Sequence, residues 1–327
     1  MDFNQIIGHE QVVDYIRRGI KEDKLSHAYI LAGEKGAGKK MLATLFATTL
    51  QCRERGDNPC GKCQSCIQAE SGNHPDIIWV THEKASISVD DIRNQINNDI
   101  EIKPYSSPYK IYIVPDGDKM TEQAQNALLK TIEEPPSYGV IILLTENVNQ
   151  FLPTILSRCV SLTLKPVPPH MVKKHLMEKY EVPDYMAEIS AKFSQGNVGK
   201  AIRYASSDEF IEIKNETLHM LTHLEEMKTY EIMQFIKSVS EKKKDLNDYL
   251  DLMLLWYRDV LLFKVTRDPN GLLFADELRH ISEQAEKKEY EGIELIIQAI
   301  EKAKIRLKAN VNFDTVMELM IFVMKEN

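Results

Sequence analysis

The stretch Gly33-Glu34-Lys35-Gly36-Ala37-Gly38-Lys39-Lys40 decides how the first half of the chain is read. It follows the apolar run Ala28-Tyr29-Ile30-Leu31-Ala32 and precedes Met41-Leu42-Ala43-Thr44-Leu45-Phe46-Ala47, which has the composition of a helix. Strand, glycine-rich loop and helix in that order bring backbone N–H groups at a helix N-terminus to face an anion. Gly33, Gly38 and Lys39 satisfy the spacing G-x-x-x-x-G-K, with Lys39 placed to reach phosphate oxygens. Gly33, Gly36, Gly38, Lys39 and Lys40 are therefore the candidate phosphate-contacting residues. One part is missing, because Lys40 stands where a Ser or Thr would offer a lone pair to magnesium, and an ammonium has none. Either the chain hydrolyses nucleotide by other means, or it kept the fold and lost the reaction.

Working outward, apolar strands alternate with helical patterns. A helix is expected before the loop, with Ile6, Val12, Val13, Ile16 and Ile20 near helical spacing. Ile77 to Val80, Lys110 to Val114, Val140 to Leu144 and Val160 to Leu164 read as further strands. Ser88-Val89-Asp90-Asp91 has the form of a capping box opening a helix over Val89 to Ile100. Thr121 to Glu134 is a helix stopped by Pro135-Pro136. Nearly all-apolar strands alternating with helices mean a parallel sheet covered on both faces, with ligands outside the strand carboxyl ends.

Lys165-Pro166-Val167-Pro168-Pro169 cannot continue a helix or a central strand and marks a boundary. Three short helices follow, over His170 to Tyr180, Asp184 to Ser194 and Val198 to Ala205. From Ser207 onward the pattern is helical, with amphipathic stretches over Tyr230 to Val239, Leu246 to Phe263, Glu291 to Lys308 and Thr315 to Met324. The expected organisation is an α/β domain over 1–166, a small helical lid over 167–206 and an all-α domain over 207–327.

With 327 residues, 43% hydrophobic and 28% charged, the composition is that of a globular protein large enough for several cores. No basic leader opens the chain and no apolar run is long enough to span a bilayer, so a cytoplasmic protein without a membrane role is expected. The net charge of −8 argues against independent hold on nucleic acid, which depends on Lys and Arg neutralising phosphates. The densest basic run, Lys242-Lys243-Lys244, is flanked by Glu241 and Asp245 and reads as a solvated face.

Cys52, Cys60, Cys63 and Cys66 follow the pattern C-x7-C-x2-C-x2-C. Two consecutive C-x-x-C steps with a fourth thiol, and Pro59 and Gly61 to make the tight turn, are the pattern of a tetrahedral zinc site. Four sulfurs leave no position for water, so such a metal is structural. A nucleotide hydrolase also needs a carboxylate at the end of a neighbouring strand. Here the strand ending at Val114 is followed by Pro115-Asp116-Gly117-Asp118, whose first position offers none. Lys40 and Pro115 are two losses at the same ion. Asp116 or Asp118 standing in for the lost ligand would keep an active ATPase motor in play, whereas a small-molecule kinase would need a second set of phosphate-binding arginines that the sequence lacks.

The order Leu25-Ser26-His27-Ala28-Tyr29, Gly33 to Lys39, the four cysteines, Gln123-Ala124-Gln125-Asn126-Ala127-Leu128-Leu129-Lys130, Glu133-Glu134-Pro135 and Thr154-Ile155-Leu156-Ser157-Arg158-Cys159 resembles the AAA+ subunits of bacterial clamp loaders over residues 1 to about 205. The remainder fits that family's collar domain by position and class. In the family, the motor subunits gamma and tau carry Thr or Ser after the loop lysine, an Asp-Glu pair after the third strand and an Arg in the lid. This chain has Lys40, Pro115-Asp116 and Gly199 at those places. The resemblance thus implies a member of the DNA polymerase III complex with no ATPase of its own, whose Ser157-Arg158-Cys159 supplies Arg158, with Ser157, as an arginine finger to a neighbour's ATP site. It implies gamma/tau and delta subunits as partners, and the sliding clamp and primed DNA reached through the complex. Whether ATP still sits passively at Lys39 is open at this level.

Overall fold

In a computed structural model, residues 2–206, 208–241 and 246–327 are described. The basic run Lys242-Lys243-Lys244 and the expected collar start at Ser207 lie outside them. The chain divides into two compact units, Met1–Ile202 and Arg203–Asn327.

The first unit is built on five parallel strands, β1 (Ala28–Ala32), β2 (Ile77–Trp79), β3 (Lys110–Val114), β4 (Gly139–Thr145) and β5 (Val160–Thr163), in the order β2-β3-β4-β1-β5. β1 lies between β4 and β5, with Ile30 opposite Leu143 on one side and Ser161 on the other. Each residue of β1, β3 and β4 is buried, as continuous apolar runs require when both faces of a sheet are covered. Edge strand β2 is only half-buried. Helices α1 (Glu10–Lys21) and α2 (Lys39–Gln51) contribute to the core on one face. On the other lie α4 (Val89–Ile92) and α5 (Glu122–Glu133). The short α3 (Gln64–Glu70) follows α2, and α6 (Pro153–Leu156) precedes β5.

The capping box at Ser88 and Asp91 forms. The helix it opens is shorter than expected, because after Ile92 it widens into a π turn over Arg93–Asn97, with Asn98 N–H donating to Arg93 C=O. The wider turn keeps Ile92 and Ile96 buried. It also lets Asn97 bond α5, donating to the Ala127 carbonyl at 2.8 Å and accepting from Thr131 Oγ1 at 3.0 Å.

Past the proline-rich boundary come α7 (Pro169–Tyr180), α8 (Asp184–Phe193) and α9 (Val198–Ser206). The second unit is helical among its described residues: α10 (Glu209–His223), α11 (Thr229–Glu241), α12 (Leu246–Thr266), α13 (Leu278–Lys287), α14 (Tyr290–Lys308) and α15 (Phe313–Glu326). Its core holds Tyr249, Trp256 and Tyr257, all fully buried. The Trp256 indole is satisfied by Gln284 Oε1 at 2.9 Å, and Gln284 in turn donates to the Leu221 carbonyl. No described helix is long and apolar enough to cross a membrane.

Candidate functional site

Three places hold the residues singled out in the sequence: the loop after β1, the end of α6, and the cysteine module between α2 and β2.

The loop leaves β1 at Gly33, whose N–H donates to Thr145 C=O of β4 at 3.1 Å. Gly36 and Gly38 take φ of 92° and 95°, a region open to glycine and costly for other residues. Gly38 caps α2, and Lys39 is the first residue of that helix. The Lys39 ammonium turns back into its own loop, donating to Gly33 C=O at 2.5 Å and to Glu34 C=O at 2.9 Å. Burial pulls Lys39 below the usual lysine range, against the nearby carboxylates of Glu146, Asp118, Asp116 and Glu34, which favour its charge.

Residues from the start of α9 close the loop from above. Asn197 Nδ2 donates to Lys35 C=O at 2.8 Å and to Glu34 Oε2 at 3.3 Å, while Gly199 N–H donates to Gly36 C=O at 3.0 Å. A Cβ on Gly199 would lie 2.7 Å from the Gly36 oxygen and 2.9 Å from its Cα, and one on Gly36 would meet Asn197 Oδ1 at 2.5 Å. The close approach to the Gly36 backbone needs a glycine at 199, and the seat of the Asn197 side chain needs one at 36.

Beyond β3, Pro115 carries no ligand. Asp116 is already engaged, its Oδ2 lying 3.3 Å from His82 Nε2 and 3.5 Å from Lys119 Nζ. Burial raises the Asp116 carboxyl, but His82 and Lys119 outweigh it and hold the group below the ordinary carboxylate range.

Arg158 stands elsewhere. Pro153 opens α6, whose regular turn ends at Leu156, so Ser157 and Arg158 follow the helix rather than belong to it. Ser157 Oγ donates to Thr154 C=O at 3.1 Å. Arg158 Nη1 donates to the same carbonyl at 3.1 Å and to Ser157 Oγ at 3.2 Å, and Nε meets Glu133 Oε1 at 2.8 Å. The Arg158 side chain is 41% exposed, whereas Cys159 is pushed up to about 12 by burial and is chemically quiet. Sequence reasoning had assigned no role to two residues that set this arrangement. Gln125, 3% exposed, donates to Gln150 C=O at 2.9 Å and accepts from the N–H of Leu152, which caps α6. Glu133 ends α5 and holds the guanidinium. Both fall inside the segments quoted for the family resemblance, which was the available signal.

The four cysteines converge as the spacing predicts, their Sγ atoms all within 4.8 Å of one another. Cys60 and Cys66 sulfurs are 3.9 Å apart, against about 3.8 Å for two sulfurs of a tetrahedron with zinc–sulfur bonds of about 2.3 Å. Cys60, Cys63 and Cys66 N–H groups donate to the sulfurs of Cys52, Cys60 and Cys63, an arrangement that favours thiolate. Burial raises Cys63, yet donation from the Arg53 and Cys66 backbones outweighs it and brings the thiol down to about 6. Gly61, with φ of 71°, turns the chain within the first C-x-x-C step, between Cys60 and Cys63. The donor set fits a closed metal site. The module is tied to the sheet through Ser65 on α3, whose hydroxyl meets His74 Nε2 at 2.9 Å, and through Gln51 at the end of α2, which donates to Tyr109 C=O at 2.6 Å.

Residues 8–168 match the family described as DNA polymerase III, delta subunit. The chain is 32% identical to the DNA polymerase III subunit delta' of Bacillus subtilis, over 97% of this chain and 96% of that protein. It is 25% identical to the subunit tau of the same organism over 92% of this chain, though over only 58% of tau. Among solved structures, a DNA polymerase III gamma subunit-related protein of Thermotoga maritima aligns over 96% of this chain and 98% of its own, at 20% identity and a TM-score of 0.49.

Proposed function

We propose a role from the premise that the chain belongs to the family of DNA polymerase III delta-prime subunits, AAA+ members of the bacterial clamp loader: it hydrolyses no ATP itself and lends Arg158 to the ATP site of a neighbouring gamma or tau subunit. The carrying observation is that the exposed Arg158 guanidinium lies after α6 rather than in the chain's own phosphate loop.

At the neighbour's site a guanidinium places fixed positive charge and directed N–H donors where negative charge accumulates on the transferring phosphoryl group. Ser157 holds the Arg158 Nη1 edge. In the chain's own loop, Lys39 is engaged by carbonyls, Lys40 has no lone pair for magnesium, and Asp116 is neutralised by His82 and Lys119. ATP therefore neither binds tightly there nor turns over.

Residues 167–206 act as the lid and 207–327 as the collar that joins delta and gamma/tau subunits in a cytoplasmic replication complex. That complex opens the sliding clamp and closes it on primed DNA, with clamp and DNA reached mainly through the assembly. Cys52, Cys60, Cys63 and Cys66 would hold zinc, which supplies a cross-link and no chemistry of reaction.

The test is reconstitution. The isolated chain should release negligible phosphate from ATP with magnesium. A complete loader carrying Arg158→Ala should lose DNA-stimulated hydrolysis at the adjacent motor subunit, and unchanged turnover in that complex would sink the finger assignment. Phosphate release by the isolated chain that vanishes with Lys39→Ala would instead favour a motor.

A further inference from the structure

Arg158 has partners at two of its three guanidinium nitrogens. Nε pairs with Glu133 at 2.8 Å and Nη1 donates to the Thr154 carbonyl and Ser157 Oγ, so that among the described residues Nη2 is the nitrogen with no partner of its own. Glu133 occupies an odd place for a carboxylate, the last residue of α5, where the helix dipole already presents partial negative charge. Helix stability gains nothing from an acid there, and the pair with Arg158 offsets the cost locally. Since the side chains are 41% and 45% exposed, water screens the pair and it contributes little to folding.

We propose that Glu133 is a positioning residue for Arg158, a reading that rests on Arg158 acting as the finger. An unrestrained arginine carries rotamer entropy that would be lost on engaging a phosphate. Here the carboxylate fixes Nε, the α6 carbonyl fixes Nη1, and Nη2 is left for the neighbour's phosphate oxygens. The anchor is itself well seated, because α5 starts at the Thr121 cap, is bonded by Asn97 and holds the α6 entry through Gln125. Orienting a charged group before the reaction raises the rate without changing how tightly the substrate is held.

The experiment compares reconstituted loaders carrying Glu133→Gln, Glu133→Ala, Arg158→Ala and the double change Glu133→Ala with Arg158→Ala, reading kcat and KM of DNA-stimulated ATP hydrolysis. Glu133→Ala should lower kcat about tenfold with KM little changed, a loss well short of that from removing the finger. Glu133→Gln, which keeps an acceptor oxygen and the side chain's shape, should fall less and guards against lost assembly. In the Arg158→Ala background Glu133→Ala should add nothing, since the residue acts only through the arginine. If Arg158→Ala collapses turnover but Glu133→Ala leaves it unchanged, raises it, or lowers it equally with and without the arginine, the positioning role is overturned and the finger stands. If Arg158→Ala itself changes nothing, the finger reading fails and takes the Glu133 role with it.

Discussion

Lys39 and Arg158 are two cations of one domain in opposite situations. Lys39 lies in a glycine loop shaped for phosphate, yet its ammonium is bonded to that loop's own carbonyls and the start of α9 covers the backbone beside it. Arg158 has no anion-binding loop around it, is partly in solvent, and is held at two of its three guanidinium nitrogens. The contrast teaches that a motif and the accessible charge can lie apart within a chain. The loop keeps the glycine and lysine spacing but its lysine is internally bonded, while the more exposed cation sits on a tripeptide that means little out of context.

Four substitutions would break or sharpen this contrast. The largest effect belongs to Arg158→Ala, expected to cost on the order of 10³-fold or more in DNA-stimulated turnover of the assembled loader; a loss under about threefold would erase the asymmetry between the two cations. Next comes Cys63→Ser, acting on stability rather than rate. Elemental analysis should fall from one zinc per chain to none, melting temperature should drop, and turnover per assembled complex should hold. Because the ligands must be thiolates, acidification should release the metal from the unaltered protein as well. Gly199→Arg should destabilise the first unit by about 1–3 kcal/mol, measured by denaturant unfolding, because a Cβ meets Gly36 backbone at 2.7 Å. A gain of ATP binding without loss of stability would show that the closure is readily reversible. Smallest of all, Lys39→Ala should leave assembled turnover within about twofold of normal, since two local hydrogen bonds are all it removes from the structure.

Much of this was legible in the sequence because the signals were local. Four of the five strands are short, mostly apolar runs, the Ser88 box is complete within four residues, and the cysteine spacing is matched by four sulfurs lying together. The three short helices after the boundary were legible because Gln195-Gly196-Asn197 and the prolines punctuate them. In the second unit α10 and α13 were not separately identified. In α13 one of the buried positions is Gln284, whose burial depends on Trp256 and the Leu221 carbonyl and cannot be read from periodicity. The π turn after Ile92 escaped because it serves α5, some thirty residues on. The pairing of Glu133 with Arg158 and the covering of the loop by Asn197 and Gly199 join residues far apart in the chain. Residue types at Lys40, Pro115 and Gly199 marked the departures from the motor pattern that the resemblance implies, but only the folded chain places Gly199 against Gly36.

That last approach constrains what residues 36 and 199 can become. The room a side chain would need at residue 199 is filled by the Gly36 backbone, and the room at residue 36 is filled by the Asn197 side chain. An arginine at residue 199 would have to open the backbone contact with Gly36 before its side chain could reach the loop, so the two segments act as a latch whose closing surface is backbone rather than side chain.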